Sequence, residues 1–174
     1  REDELLQIAF DGLDKLPGVS ILASDQRERL GVISFYFNDI HYNLVVKLLS
    51  DRFGIQVRGG CACAGTYGHF LLNVDYEHSR KITEKINTGD LSEKPGWVRM
   101  SMHPTMTDDE LFYILDALKQ IGQHHKQWAK DYEYITRANE FRHKSMAVNH
   151  AEEIRKWFYL PGPSKPVHRW LGIK

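Results

Sequence analysis

A glycine-rich loop spanning residues 58–68 carries the residue types best suited to chemistry in this 174-residue chain. Its two cysteines, Cys61 and Cys63, are separated by one residue, which is poor spacing for an unstrained disulfide. A cysteine becomes a nucleophile when positive charge or backbone N–H groups stabilise its thiolate, and Arg58 lies close in sequence to Cys63. The loop therefore predicts a nucleophilic thiol at Cys63, with Cys61 as the other candidate. The simpler interpretation is that both cysteines are small packing residues in a turn.

Metal binding fits this loop poorly. The two cysteines and the nearby His69 supply three ligands, whereas a structural zinc site needs four ligands at recognised spacings. The other histidines of the C-terminal part are explained more simply by solvated helix faces; they are His124, His125, His143 and His150. We therefore predict no metal site.

Two arginines, Arg58 and Arg99, each follow a valine at the edge of a predicted strand or within one. A guanidinium fork is suited to bidentate recognition of a carboxylate. Taken singly, each arginine is explained more simply as an exposed or ion-paired residue of a strand.

Hydrophobic periodicity and turn residues predict the elements that position these side chains. In the last predicted strand, Arg99 lies on the opposite face from Val98 and Met100. Asn38 or Asp39 is expected to cap the second helix, which Gly54 ends. The predicted helices cover residues 2–16, 40–53, 77–87 and a segment that starts with a capping box at 107–110, and the predicted strands cover 19–22, 31–37, 55–57 and 97–102.

Beyond these elements, Gly122 interrupts the apolar pattern, and residues 123–159 are helix-prone, charged and aromatic. The proline-rich tail after residue 160 predicts an extended segment. The fold class is therefore α/β in an α+β, two-layer form, with a small, mostly antiparallel sheet, helices on one face and a C-terminal helical region. We predict a small α/β domain at 1–122, a helical extension at 123–160 and a tail at 161–174.

The composition excludes several classes of protein. Lysine and arginine together number 23, as do aspartate and glutamate, so no basic surplus marks a nucleic-acid-binding module. No apolar stretch is long enough to span a membrane, and no secretory signal is present in the sequence. The two close cysteines indicate a reducing setting, which predicts a cytoplasmic protein.

The order of these segments resembles the C-terminal small domain of class V aminotransferases, and most closely that of the cysteine desulfurase and selenocysteine lyase branch. The resemblance covers about residues 2–121. It rests on the strand at 31–35, the loop Gly54-Ile55-Gln56-Val57-Arg58-Gly59-Gly60-Cys61-Ala62-Cys63-Ala64, the strand Val98-Arg99-Met100-Ser101 and the segment Thr107-Asp108-Asp109-Glu110-Leu111.

The resemblance implies a fold type I enzyme that uses pyridoxal 5'-phosphate (PLP), in which the small domain closes over an amino-acid substrate such as cysteine or selenocysteine. Cys63 matches the cysteine that accepts sulfur as a persulfide, Arg99 the arginine that pairs with the substrate α-carboxylate, and Arg58 the loop arginine of the same pocket. Nothing before Cys63 matches the family's cofactor lysine, so PLP is expected to be bound mainly by a large domain and the isolated chain to be inactive. A homodimer of the full-length enzyme and a sulfur-acceptor protein are further expectations.

Two alternatives stay open. In the first, the chain is a class V aminotransferase or lyase domain whose cysteines merely line the loop. In the second, it is a non-enzymatic module that binds a partner through aromatic C-terminal helices. An exposed stripe of Trp128, Tyr132 and Ile135 is the sign expected of that module.

Overall fold

The computed structural model of the chain describes residues 1–61, 65–145 and 150–158. The chain divides into two compact units, Arg1–Lys144 and Ser145–Lys174. The elements described in the first unit are α1 (Glu2–Leu13), β1 (Val19–Ile21), β2 (Val32–Phe37), α2 (Tyr42–Phe53), β3 (Arg58–Gly60), α3 (Gly65–Leu71), α4 (Tyr76–Asn87), β4 (Trp97–Ser101), α5 (Asp108–Trp128), a 3₁₀ turn (Ala129–Asp131), β5 (Tyr132–Ile135) and β6 (Glu140–His143). In the second unit, α6 (His150–Trp157) exposes Ile154 and Trp157.

A four-stranded antiparallel sheet in the order β1-β2-β4-β3 organises the first unit. Along β2, Ile33 and Phe35 are fully buried whereas Ser34 between them is only half-buried, because successive side chains of a strand point to opposite faces. The buried face belongs to one core with α1, α2 and α5. The predicted α+β fold with a small antiparallel sheet is confirmed, and α1, α2 and α5 cover the core face of that sheet.

The other face of the sheet, called the outer face below, is partly covered. Trp97 lies on it, because its neighbour Val98 points into the core, yet Trp97 is 5% exposed. It is covered by α3, where a Cβ placed on Gly68 would lie 3.4 Å from the Trp97 ring. The helix that follows the cysteine loop therefore packs on the outer face of the sheet.

Two predicted helix boundaries are confirmed. Gly54 ends α2 in a left-handed conformation with φ of 67°, which glycine adopts without a steric penalty. Thr107 accepts from the backbone N–H of Glu110, and the Glu110 carboxylate accepts from that of Thr107, so the capping box forms at the start of α5.

The predicted cap of α2 by Asn38 or Asp39 is wrong. His41 caps the helix instead, since its Nδ1 accepts from the backbone N–H of Asn43 at 3.1 Å. The Asn38 side chain is used elsewhere, within 3.1 Å of the Ser20 hydroxyl. Because Phe37 and Ile40 form a bridge across this turn, the helix starts later than the sequence pattern predicted.

The predicted strand at 55–57 is displaced. These residues form an extended connection, and the paired residues are Arg58–Gly60, which lie opposite Trp97–Arg99 of β4. Their apolar side chains pack against the core, which explains the strand-like pattern without a partner strand.

The helical prediction for residues 123–159 is wrong over 132–143, which form the β5–β6 hairpin. Gly122 does not interrupt α5, which continues to Trp128. A Cβ at Gly122 would lie 3.3 Å from the Phe37 ring, so the glycine provides close packing and not a break. The predicted domain boundary at 122 falls inside α5, and the assignment of the domains stays a prediction.

In the described ranges, none of the helices combines the length and apolar character that crossing a bilayer requires.

Candidate functional site

The two arginines predicted to form the site lie directly opposite each other on neighbouring strands. Arg58 of β3 pairs directly with Arg99 of β4, and Ser34 of β2 pairs with Arg99 from the other side. Directly opposed residues share a face and lie about 4.5–5.5 Å apart at their Cβ atoms. Since Val98 and Met100 point into the core, all three polar side chains start from the outer face.

Neither guanidinium has a partner within the described part of the chain. Arg58 is exposed and Arg99 half-buried, and no hydrogen bond, ion pair or ring contact to a described residue involves either side chain. Like charges directly opposed in a sheet are destabilising. Two guanidiniums in this arrangement have the chemistry to bind an anion, and their planar forks suit a carboxylate.

The cysteine loop begins at the end of β3, next to this pair. Gly60 has φ of 123°, a conformation that side-chain-bearing residues rarely adopt. Cys61 is a half-buried free thiol whose Cβ lies 3.6 Å from the position that a Cβ at Gly68 would occupy. Cys63, the predicted nucleophile, lies outside the described residues, so its role stays a prediction.

Cys61 lies close enough to Tyr42 for the two side chains to interact electrostatically. Burial is the main reason that the pKa of the Tyr42 hydroxyl is raised; a hydrogen bond from Asn139 opposes this shift, and negative charge at Cys61 adds to it. The start of the loop thus lies near the first turn of α2.

His69, which the sequence analysis considered as a third metal ligand, has a different partner. Its Nδ1 lies 2.6 Å from the Ser79 hydroxyl, which joins α3 to α4. Among the residues that the structure describes, no three His, Cys, Asp or Glu side chains come together in a way that could hold a metal ion.

A hydrogen-bond network that the sequence analysis missed joins the start of α2 to the β5–β6 hairpin. Asn139 Nδ2 donates to the Tyr42 hydroxyl at 2.6 Å, while Asn139 Oδ1 accepts from Asn43 at 3.0 Å and from the Tyr134 hydroxyl at 2.9 Å. Asn139 has φ of 52°, which asparagine tolerates better than most residues. An asparagine between two runs of aromatic residues was the available sequence signal.

The C-terminal aromatic residues do not form an exposed stripe. Tyr132 is buried, Trp128 packs against the core, and Ile135 is half-buried. The Arg52 guanidinium also covers the Trp128 ring at 4.4 Å. This packing counts against the partner-binding module.

Comparison with protein families matches residues 1–114 to the family described as Aminotransferase class-V. The chain belongs to the class V aminotransferase family. No curated protein sequence matches it significantly.

Solved structures similar to this class V aminotransferase chain include two cysteine desulfurases. The first is the cysteine desulfurase CsdA from Escherichia coli, with 19% identity and a TM-score of 0.43 over 68% of this chain and 24% of that one. The second is an apo cysteine desulfurase from Thermococcus onnurineus NA1, with 23% identity and a TM-score of 0.47 over 70% of this chain and 25% of that one. The chain thus spans about a quarter of the length of these structures.

Class V aminotransferases depend on PLP in general, but the sheet described here does not fit PLP by itself. A fold type I site needs a lysine amine for the cofactor aldehyde. None of the four strands that form the sheet around Arg58 and Arg99 contains a lysine. Arg58 and Arg99 can orient a carboxylate, and the cofactor needs further residues.

Proposed function

We propose that this chain is the substrate-closing C-terminal domain of a PLP-dependent enzyme similar to cysteine desulfurases and selenocysteine lyases. The arginine pair carries the proposal. Two adjacent guanidiniums that have no partner among the described residues, at the start of a glycine-rich cysteine loop, suit an amino-acid substrate that has an anionic end and a reactive side chain.

In this proposal, Arg99 and Arg58 bind the substrate α-carboxylate. Arg99 extends from the middle of the sheet and is half-buried, so its position is better defined than that of Arg58 at the edge strand. Fixing the carboxylate restricts the orientation of the rest of the amino acid, which lowers the entropic cost of reaching the reactive geometry.

Cys63 accepts the sulfur. Its thiolate forms a bond to the substrate sulfur while the carbon–sulfur bond of the substrate breaks, so that cysteine and the Cys63 thiol give alanine and the Cys63 persulfide. Bound PLP supplies the electron sink for such chemistry. Arg58, five residues before Cys63 in the sequence, is the positive charge proposed to favour the thiolate form.

The whole protein is expected to be a cytoplasmic homodimer that passes the sulfur to an acceptor protein. The isolated chain is expected to be inactive, since its sheet offers no lysine for PLP.

The test uses the longest natural form of the protein that contains this chain. We expect it to purify with bound PLP, seen by its absorbance, and to release sulfide from L-cysteine in the presence of a thiol reductant. Cys63→Ser should abolish sulfide release and retain the cofactor, and Cys61→Ser is the matched control that should stay active. Full activity of Cys63→Ser would refute the assignment of the nucleophile.

A class V aminotransferase or lyase with non-catalytic cysteines is the second candidate, because the arginine pair would serve any amino acid. Bound PLP with transamination that resists thiol alkylation would favour it. Absence of PLP from the purified protein would contradict both candidates.

A further inference from the structure

The Tyr42 ring lies between two glycine backbones on the helix side of the sheet. A Cβ placed on Gly59 would lie 3.2 Å from Tyr42 Cδ2, and one placed on Gly96 would lie 2.5 Å from Tyr42 Cε1. A side chain at Gly96 would overlap the ring, whereas one at Gly59 would contact the ring tightly and lie closer still, at 2.9 Å, to Asn43 Oδ1 and Val46 Cγ2. Tyr42 is therefore wedged against both segments at once.

These two segments are the ones that carry the arginine pair. Gly59 follows Arg58 directly in β3, and Gly96 lies just before β4, three residues ahead of Arg99. Gly59 also pairs with Val98, which points into the core. The Tyr42 ring thus contacts the backbone of β3 and the backbone just before β4 on the core face of the sheet, opposite the outer face on which Arg58 and Arg99 lie.

Asn139 holds this ring in place. Its Nδ2 donates to the Tyr42 hydroxyl, and its Oδ1 is itself fixed by Asn43 and Tyr134. A side chain held by three hydrogen bonds on a hairpin turn has little freedom to follow movement of the ring. Asn139 lies beyond residues 1–114, so this support comes from outside the segment that matches the family.

We propose that Asn139 and Tyr42 are positioning residues that set the spacing of Arg58 and Arg99, so that the C-terminal hairpin tunes the affinity of the pair for a carboxylate. This inference rests on the carboxylate-binding role proposed above. It gives the β5–β6 hairpin a function in ligand binding besides its packing.

The test measures carboxylate binding by the full chain without using enzyme activity. The Nε–H signals of Arg58 and Arg99 are followed by NMR, in protein labelled with ¹⁵N arginine, while L-alanine is added. Ethylamine, which lacks the carboxylate, is the control ligand. Tyr42→Phe keeps the ring and removes its hydroxyl, and Asn139→Gly keeps the turn conformation and removes the side chain.

Each variant should weaken L-alanine binding roughly five-fold, which corresponds to the loss of about one hydrogen bond of positioning free energy, ~1 kcal/mol. The double variant should bind no more weakly than Asn139→Gly alone, because that variant has already lost the hydrogen bond to the Tyr42 hydroxyl. The matched control is Tyr132→Phe, which loses a hydroxyl contact of 3.1 Å from the same hairpin to Asp51 of the same helix. It should bind L-alanine as the unaltered chain does.

The outcomes separate this inference from the proposed function. No shift of the arginine signals with L-alanine in the unaltered chain would refute the carboxylate site, and the positioning role with it. Normal binding by the unaltered chain and equally normal binding by Tyr42→Phe and Asn139→Gly would refute only the positioning role. Equal weakening in Tyr132→Phe would also refute it, because the hairpin would then act through stability alone.

Discussion

Removing one charge of the arginine pair should stabilise the fold, although ordinary substitutions in a sheet destabilise it. Arg58 and Arg99 oppose each other in register and have no ion-pair partner among the described residues. At the Cβ separation of opposed residues, about 5.5 Å, two unit charges in a largely aqueous environment repel each other by roughly 0.5–1 kcal/mol, which is an upper bound because the long side chains can turn apart. Arg58→Gln removes this repulsion and keeps part of the side-chain stem.

The expected gain is at most about 0.5–1 kcal/mol in the free energy of unfolding, or roughly 1–4 °C in the melting temperature of a chain of this size. The assay is thermal and urea denaturation followed by circular dichroism at low and high salt. The gain should shrink at high salt, because exposed charges are screened. Arg99→Gln should act in the same direction, and the double variant should gain no further relief of repulsion.

Arg52→Gln is the matched control with the opposite sign. Arg52 pairs with Asp131 at 3.2 Å and covers the Trp128 ring, so its loss should destabilise the chain. If Arg58→Gln and Arg99→Gln destabilised the chain as Arg52→Gln does, without dependence on salt, the arginine pair would be structural and the argument for a ligand site would fail.

Two further substitutions test the surroundings of the site. Burial lowers the pKa of His41 below its usual value of 6.5, so the folded chain favours the neutral imidazole. The stabilisation by this neutral form is present above pH 6.5 and is lost as the pH falls through the lowered pKa. His41→Asn should therefore remove part of the loss of stability on acidification. Asparagine keeps the helix cap, and an unchanged pH profile in urea denaturation would contradict this. Gly96→Ala should cost about 1–3 kcal/mol, because its Cβ would overlap the Tyr42 ring at 2.5 Å. Unchanged urea denaturation would show that the ring can move aside.

The site could be predicted from the sequence only in part. Alternation along β4 correctly placed Arg99 on the face opposite Val98, because that pattern is local. The direct pairing of Arg58 with Arg99 was not predictable in this way. It depends on β3 joining the sheet beside β4 and on a register displaced from the predicted 55–57 strand, and both are set by contacts between distant segments.

The hairpin shows the converse problem. Trp128, Tyr132 and Ile135 are spaced as on one helical face, whereas Tyr132 and Tyr134 alternate as on a strand. Both periods fit so short a segment. Tertiary contacts accompany the extended form, in which the Tyr132 hydroxyl lies 3.1 Å from Asp51 and the Tyr134 hydroxyl 2.9 Å from Asn139.

The two faces of the sheet carry different kinds of residue: opposed arginines lie on the outer face, and apolar side chains lie on the core face. Two opposed guanidiniums on the outer face repel each other, so they keep their spacing only if the backbones below them are held. Buried side chains such as Val98 and Met100, together with the Tyr42 wedge, supply that support from the helix side. A carboxylate that binds between the arginines removes their mutual repulsion. Because the fold holds the two arginines together before binding, relief of this repulsion adds to the binding free energy of the carboxylate.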